Sequence, residues 1–211
     1  MRYCDSGDNV FFYGNRKVWC FYCIFSTSLT IMITPEETLL LLIDVQGKLA
    51  ESVVHPEALA SNISKLLRGC TTLGVPVLVT EQYPKGLGHT LEALMELLPG
   101  NIPVEKKTFS CCGTPQFMRQ LRSYNRNDIL VAGIETHVCV YQTSVELIEF
   151  GYNVHLVTDA VSSRIEGNKL LGIRCIEKAG ASLTSTEMAL FELLRVAEGE
   201  RFKAISKIAK E

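Results

Sequence analysis

The chain has 211 residues, with 21 Lys and Arg against 23 Asp and Glu and a formal net charge of −2. A hydrophobic fraction of 47% beside 21% charged residues is that of an ordinary globular domain with a sizeable core. This balance excludes a basic nucleic-acid footprint and a long disordered chain, and a chain of this length is not a small disulfide-stapled scaffold.

Residues 1–31, "MRYCDSGDNVFFYGNRKVWCFYCIFSTSLTI", do not read like the rest. They are rich in aromatics and cysteines and show no helical or strand periodicity over a long window. Arg16 and Lys17 precede an apolar stretch, but Ser26, Thr27, Ser28 and Thr30 interrupt it and no small-residue cleavage site follows. Cys20 and Cys23 form a lone C-x-x-C with no second pair, so zinc is not expected there. The stretch is read as a disordered or non-native-looking N-terminal extension, with one domain over 32–211.

From Met32 onward strand and helix signals alternate. "TLLLLID" is a continuous apolar run ending in Asp44, the pattern of a strand buried on both faces. A helix is predicted over 55–69, a second strand over 75–80, a short helix over 90–98 and a third strand over 102–106. Thr114-Pro115 opens a helix to about Ser123, since proline suits the first helical position. "DILVAG" (128–133) is a fourth strand. A helix over 137–150 is stopped by Gly151, and "NVHLVTD" (153–159) is a fifth strand. A helix over 169–179, a short strand in "ASLTST", a capping box from Thr184 to Glu187, and an amphipathic tail over 202–209 complete the chain. Such alternation predicts an α/β fold in three layers, α/β/α, around a six-stranded parallel sheet of Rossmann-like type.

In such sheets ligands bind at the carboxyl ends of the strands. The residues found there are Asp44, then Thr80-Glu81-Gln82, Lys106-Lys107, "GIETHV" leading to Cys139, and Asp159. Thr136 is predicted to cap the helix that carries Cys139, placing the thiol in the first turn. Free amides, the helix dipole and Lys106 would then favour a thiolate and lower its pKa. Asp44 is placed to take the thiol proton and return it to a leaving amine. His137 lies two residues from Cys139, and residues two apart on a helix do not face each other, so it is expected in the pocket wall. Asp159 is read as a turn-forming or capping residue.

"LLLIDVQ" with Asp44, "VEKKTFS" with Lys106, and "GIETHVCV" with Cys139 together resemble the isochorismatase-like cysteine hydrolases, a superfamily that includes nicotinamidases and N-carbamoylsarcosine amidohydrolase. "GYNVHLVTDAVSSR" is similar to the family pattern as well, and the resemblance runs from about Met32 to Leu194. It implies an Asp44–Lys106–Cys139 triad, with Lys106 rather than Lys107 in register with the family's Lys-x-x-Phe-Ser. It also implies a cis peptide between Ile134 and Glu135, and an oxyanion hole from the amides of Glu135 and Cys139. Nicotinamidases hold a metal with an Asp-x-His pair and further histidines after the second strand. "TEQYPKGLGH" offers only Glu81, Gln82 and His89, so neither metal nor cofactor is expected, and the stretch resembles an uncharacterised-hydrolase branch.

The expectation is a hydrolase that attacks a small amide, carbamoyl or other C–N substrate through a thioester on Cys139. Gln46, Tyr83, Phe109, Cys111, Cys112, Ile134, Glu135 and His137 are expected to line its pocket. Two alternatives stay open: a non-enzymatic binding or scaffold protein acting through the C-terminal helix, and a vinyl-ether hydrolase of isochorismatase type. A small-molecule substrate, no nucleic acid, no membrane, a homo-oligomer and a cytoplasmic, reducing location complete the expectation.

Overall fold

The computed structural model describes residues 10–13, 16–19 and 32–211. The chain divides into two compact units, Met1–Met32 and Ile33–Glu211. The first contains strands β1 (Val10–Tyr13) and β2 (Arg16–Trp19), paired antiparallel with Val10 opposite Trp19. Sequence periodicity did not predict them, because four-residue strands are too short to show one. The Cys20–Cys23 expectation lies outside the described residues.

The second unit begins with β3 (Thr38–Ile43), followed by α1 (Gly47–Glu51), α2 (Pro56–Leu73) and β4 (Val77–Gln82). Then come α3 (Pro84–Leu87), α4 (Glu92–Met95), β5 (Val104–Lys106), a 3-10 turn at Cys111–Gly113 and α5 (Pro115–Ser123). The chain continues with β6 (Asp128–Ile134), a π-helical turn at Thr136–Val140, α6 (Tyr141–Glu149) and β7 (Asn153–Ser162). It closes with α7 (Glu166–Lys178), β8 (Ser182–Thr184), α8 (Thr186–Leu194) and α9 (Gly199–Lys210). The six strands of this unit pair in the order β5-β4-β3-β6-β7-β8, every pair parallel.

All of β3 and β6 is buried, as the apolar runs require of strands covered on both faces. Leu40 and Leu42 face one core with Leu59, Ile63 and Leu66 of α2 and with α8 and α9, while Leu39, Leu41 and Ile43 face the other with Phe117 of α5 and Leu147 of α6. This alternation builds the three layers. Ile205 and Ile208 of α9 belong to the first core. The apolar face of the C-terminal tail is thus used within the chain, and it supports neither an oligomer contact nor the scaffold reading.

Chain order turns back between β3 and β6. The chain steps outward through β4 and β5, then returns to pair β6 against β3 and steps the other way. Their carboxyl ends frame the crevice in which such sheets bind ligands. Gly133 makes the close approach possible: its φ is 125°, and a Cβ there would overlap the backbone carbonyl and amide of Ile43, its partner in register.

Several boundaries differ from the sequence expectation. The second strand runs to Gln82 rather than Thr80, and the fifth to Ser162, so that Asp159 lies inside a strand. Its Oδ1 accepts from the amide (2.8 Å) and hydroxyl (3.0 Å) of Thr186, a structural role at the start of α8. The cap of α8 is Ser185, which accepts from Met188, one residue on from the expected Thr184–Glu187 box. Among the described residues no helix is long and apolar enough to cross a membrane.

Candidate active site

Asp44 follows β3 with a φ of 52°, a left-handed conformation that Asp tolerates better than most residues. Its amide donates to the carbonyl of Thr80 (3.2 Å), and its side chain is buried at the crevice. Oδ1 accepts from the Thr80 hydroxyl at 2.8 Å, and Oδ2 from the Lys106 ammonium at 2.6 Å. The Cys139 thiol is near enough to the same carboxylate for Asp44 to raise its pKa. The three strand-end residues singled out from sequence therefore meet at one buried point.

Lys106 ends β5, and its side chain is 0% exposed. Beyond Asp44 its Nζ reaches Gln82 Oε1 (2.7 Å) and the carbonyls of Phe109 (3.1 Å) and Thr108 (3.2 Å). Burial opposes the ammonium, but Cys111, Asp44 and Cys139 around it outweigh that cost and hold its pKa above the ordinary lysine value.

Cys139 sits in the π-helical turn that precedes α6, a geometry often found at functional sites. The amides of Val138 and Val140 both donate to the carbonyl of Glu135, which stands at the N-cap without a side-chain capping bond to the turn. Thr136 is not the cap: its hydroxyl is buried without a hydrogen-bond partner. The thiol also differs from expectation. Burial, followed by the charge of Asp44, pushes Cys139 up to about 12, against the opposing pull of Lys106. Asp44 and Lys106 are already paired with each other, so their charges largely offset at the sulfur and desolvation decides. Cys139 therefore rests as a thiol.

Glu135 follows the cis Ile134–Glu135 peptide. Its carboxylate takes the Arg164 amide and Nε (both 3.1 Å) and NH2 (3.3 Å). Burial works against the charge, but the Arg164 bonds hold its pKa below the ordinary glutamate value. His137 turns aside from the thiol, with Nδ1 3.0 Å from the Ser163 hydroxyl and Nε2 3.4 Å from the Asn168 amide.

The expected pocket wall is partly corrected. Cys111 does belong to the site: it is fully buried, its sulfur lies 3.7 Å from Thr80 Oγ1, and burial pushes its thiol up to about 11. Gln46 is occupied elsewhere. Its amide donates to the carbonyls of Gly88 (2.6 Å) and Gln82 (3.2 Å) and accepts from the Gln82 amide (2.6 Å), clamping the end of β4. Ile134 is core. Tyr83 and Phe109 are exposed at the rim, and Tyr83 lines a cleft of about 610 Å³ with Lys85, the Lys106–Thr108 segment and Thr114. Cys112 is half-buried in the neighbouring turn. Sequence reasoning named Thr80 and Gln82 at a strand end but gave them no role; the structure makes them hydrogen-bond partners of Asp44 and Lys106.

Glu81 accepts from Thr90 through its amide (2.7 Å) and hydroxyl (2.8 Å), and its other oxygen lies 3.0 Å from His89 Nδ1. Among the described residues no group of three His, Cys, Asp or Glu side chains is placed to hold a metal.

Comparison with known proteins agrees with this fold. The isochorismatase domain family matches residues 38–188. Isochorismatase family protein 1B of Dictyostelium discoideum is 38% identical over 184 residues, covering 85% of this chain and 89% of its own. A structure described as the MAR1 ribonuclease of Caenorhabditis elegans superposes with a TM-score of 0.80 at 36% identity, over 86% of this chain and 93% of that one. The Escherichia coli YcaC gene product, described as an octameric hydrolase of unknown specificity, shares the fold with a TM-score of 0.80 at 21% identity, over 84% of this chain and 89% of that one. The chain belongs to the isochorismatase family and is a hydrolase of isochorismatase-like type.

Proposed function

We propose that the protein hydrolyses the C–N bond of a small amide, carbamoyl or related substrate with Cys139 as nucleophile, Asp44 as general base and acid, and Lys106 paired with that carboxylate. The observation that carries this reading is the shared carboxylate: one Asp44 side chain meets both the Lys106 ammonium, at 2.6 Å, and the Cys139 thiol.

The thiol is protonated at rest, so attack and deprotonation are coupled. As the sulfur bonds to the substrate carbonyl carbon, its proton passes to Asp44, and the carbonyl oxygen becomes an oxyanion. The amides of Glu135 and Cys139 are its proposed donors, supported by their place at the turn entering α6. Collapse of the adduct breaks the C–N bond, and Asp44 gives its proton to the departing nitrogen, leaving a thioester. A water then attacks the thioester carbonyl, one of its protons going to Asp44. When the C–S bond breaks, the acid is released and that proton returns to the sulfur. Lys106 offsets the charge that Asp44 carries at the start and end of each half-reaction.

The experiment is ammonia release from a panel of short amides and carbamoyl compounds by the wild-type protein and by Cys139→Ala. Turnover lost in the variant supports the reading. Ammonia release untouched by it would refute Cys139 as the nucleophile, and turnover of a vinyl ether but of no amide would move the chemistry to the isochorismatase type, which needs no thiol. A short RNA belongs in the same panel because a structure 36% identical is described as a ribonuclease. RNA cleavage that survives Cys139→Ala would refute the small-amide reading.

Activity is proposed to reside in 32–211 and to survive removal of 1–31. The five free thiols among the described residues support a reducing, cytoplasmic setting. A homo-oligomer is proposed because a structure sharing the fold is described as octameric, and a monomeric mass in solution would refute it.

A further inference from the structure

Lys106 poses a question that the triad alone does not answer. A fully desolvated ammonium has three protons to place, and one carboxylate takes only one of them well. The register of β4 and β5 sets Gln82 directly beside Lys106, so both side chains leave the same face of adjacent parallel strands. Gln82 Oε1 lies 2.7 Å from Nζ, nearly as close as Asp44 Oδ2 at 2.6 Å, whereas the carbonyls of Phe109 and Thr108 stand off at 3.1 and 3.2 Å.

The orientation of this amide is settled by its other end. Gln82 Nε2 donates to the carbonyl of Lys107 at 2.9 Å. Flipping the amide would set NH2 against an ammonium and oxygen against a carbonyl. The backbone beneath it is held as well, since the Gln82 N–H and C=O both bond the Gln46 side chain. Gln46 therefore braces the end of β4, Gln82 projects from that brace, and the Gln82 oxygen faces Lys106.

We propose that Gln82 is a positioning residue of the active site, holding the Lys106 ammonium in contact with Asp44 from the adjacent strand. This rests on the proposed role of Lys106 but makes a claim of its own about the lysine. A neutral acceptor fits the position, because it satisfies a proton without adding a second carboxylate to compete with Asp44 or repel a thiolate. The remote clamp from Gln46 then has a functional consequence, since loosening the end of β4 loosens the hold on Lys106.

The test is an NMR titration of the Lys106 side chain in the full-length protein, with 13C at Cε, in wild type, Gln82→Met and Gln82→Glu. Methionine keeps the bulk and removes the acceptor. A hydrogen bond to a charged group changes proton affinity by roughly tenfold to a hundredfold, so the Lys106 midpoint is expected to fall by about one to two pH units. Glutamate keeps the oxygen and adds charge, and its midpoint is expected to rise. A midpoint unmoved in Gln82→Met overturns the proposal. If that variant does not fold, an unmoved midpoint in Gln82→Glu overturns it alone. A purely structural Gln82 would change the melting temperature without moving Lys106. Activity separates this inference from the functional reading. If Gln82→Met shifts Lys106 while Cys139→Ala keeps full turnover, the positioning stands and the thiol mechanism falls. If Cys139→Ala is dead and Lys106 does not shift, the reverse holds.

Discussion

Replacing Lys106 by methionine should be among the most damaging single changes in the molecule. Methionine keeps an unbranched stem and removes only the ammonium. Asp44, 1% exposed, then retains the Thr80 hydroxyl as a side-chain donor but loses its counter-charge. Gln82 Oε1 and the carbonyls of Thr108 and Phe109 lose their donor at the same time. Removing one partner of a buried ion pair costs about 3–5 kcal/mol, because the other charge is stranded. For a domain of this size each kcal/mol shifts the melting temperature by roughly 2–4 °C, so Lys106→Met should melt roughly 6–20 °C below wild type. Asp44→Asn in the same chain removes the stranded charge. The double variant should therefore recover a substantial part of the loss, which a double-mutant cycle by urea denaturation measures directly. A loss below about 1 kcal/mol for Lys106→Met, or strictly additive single losses, would refute the picture of a dry, mutually dependent pair.

Three further outcomes follow from the same geometry. Alkylation of Cys139 by iodoacetamide, read by peptide mass spectrometry, should inflect far above the ordinary thiol value of about 8.5, and Asp44→Asn should speed it at pH 8; an inflection at or below 8.5 would contradict the buried-thiol account. Cys70, Cys112 and Cys139 are each pushed up to about 12 by burial, and Cys111 to about 11. The folded state thus keeps protons that the unfolded chain releases near pH 8.5. The stability tied to those thiols is fully present below that pH and is lost as pH rises towards 12, so the urea midpoint should be lower at pH 10.5 than at pH 8; a flat or rising midpoint would contradict it. Gly133→Ala forces a side chain onto the Ile43 backbone at a φ of 125°, and should cost roughly 2–5 kcal/mol in the same denaturation assay, with a cost under about 1 kcal/mol arguing against the close approach of β3 and β6.

The architecture was legible because strands buried on both faces announce themselves as unbroken apolar runs, and "TLLLLI" and "DILVAGI" do so here. The place of Asp44, Lys106 and Cys139 was legible for a related reason: strand ends in a parallel sheet converge, so their residue types can be pooled before the fold is known. Gln82 was visible at a strand end, but its contact with Lys106 was not, because it depends on β4 running on to Gln82 and on the register of β4 against β5. The state of the thiol was misread for a different cause. A helix start and a nearby lysine are visible in sequence, but desolvation is not, and desolvation is the larger effect on Cys139. Likewise the amphipathic tail shows that α9 has an apolar face, not that α2 and α8 already cover it.

The central claim is that Cys139 bonds covalently to the carbonyl carbon of its substrate. The most direct measurement is acid-quenched turnover of a substrate from the amide panel, followed by peptide mass spectrometry across the segment that contains Cys139. The account predicts an acyl mass on Cys139 that builds up within the first turnover and is absent from Cys139→Ser. Steady ammonia release with Cys139 unmodified at every time point would contradict it.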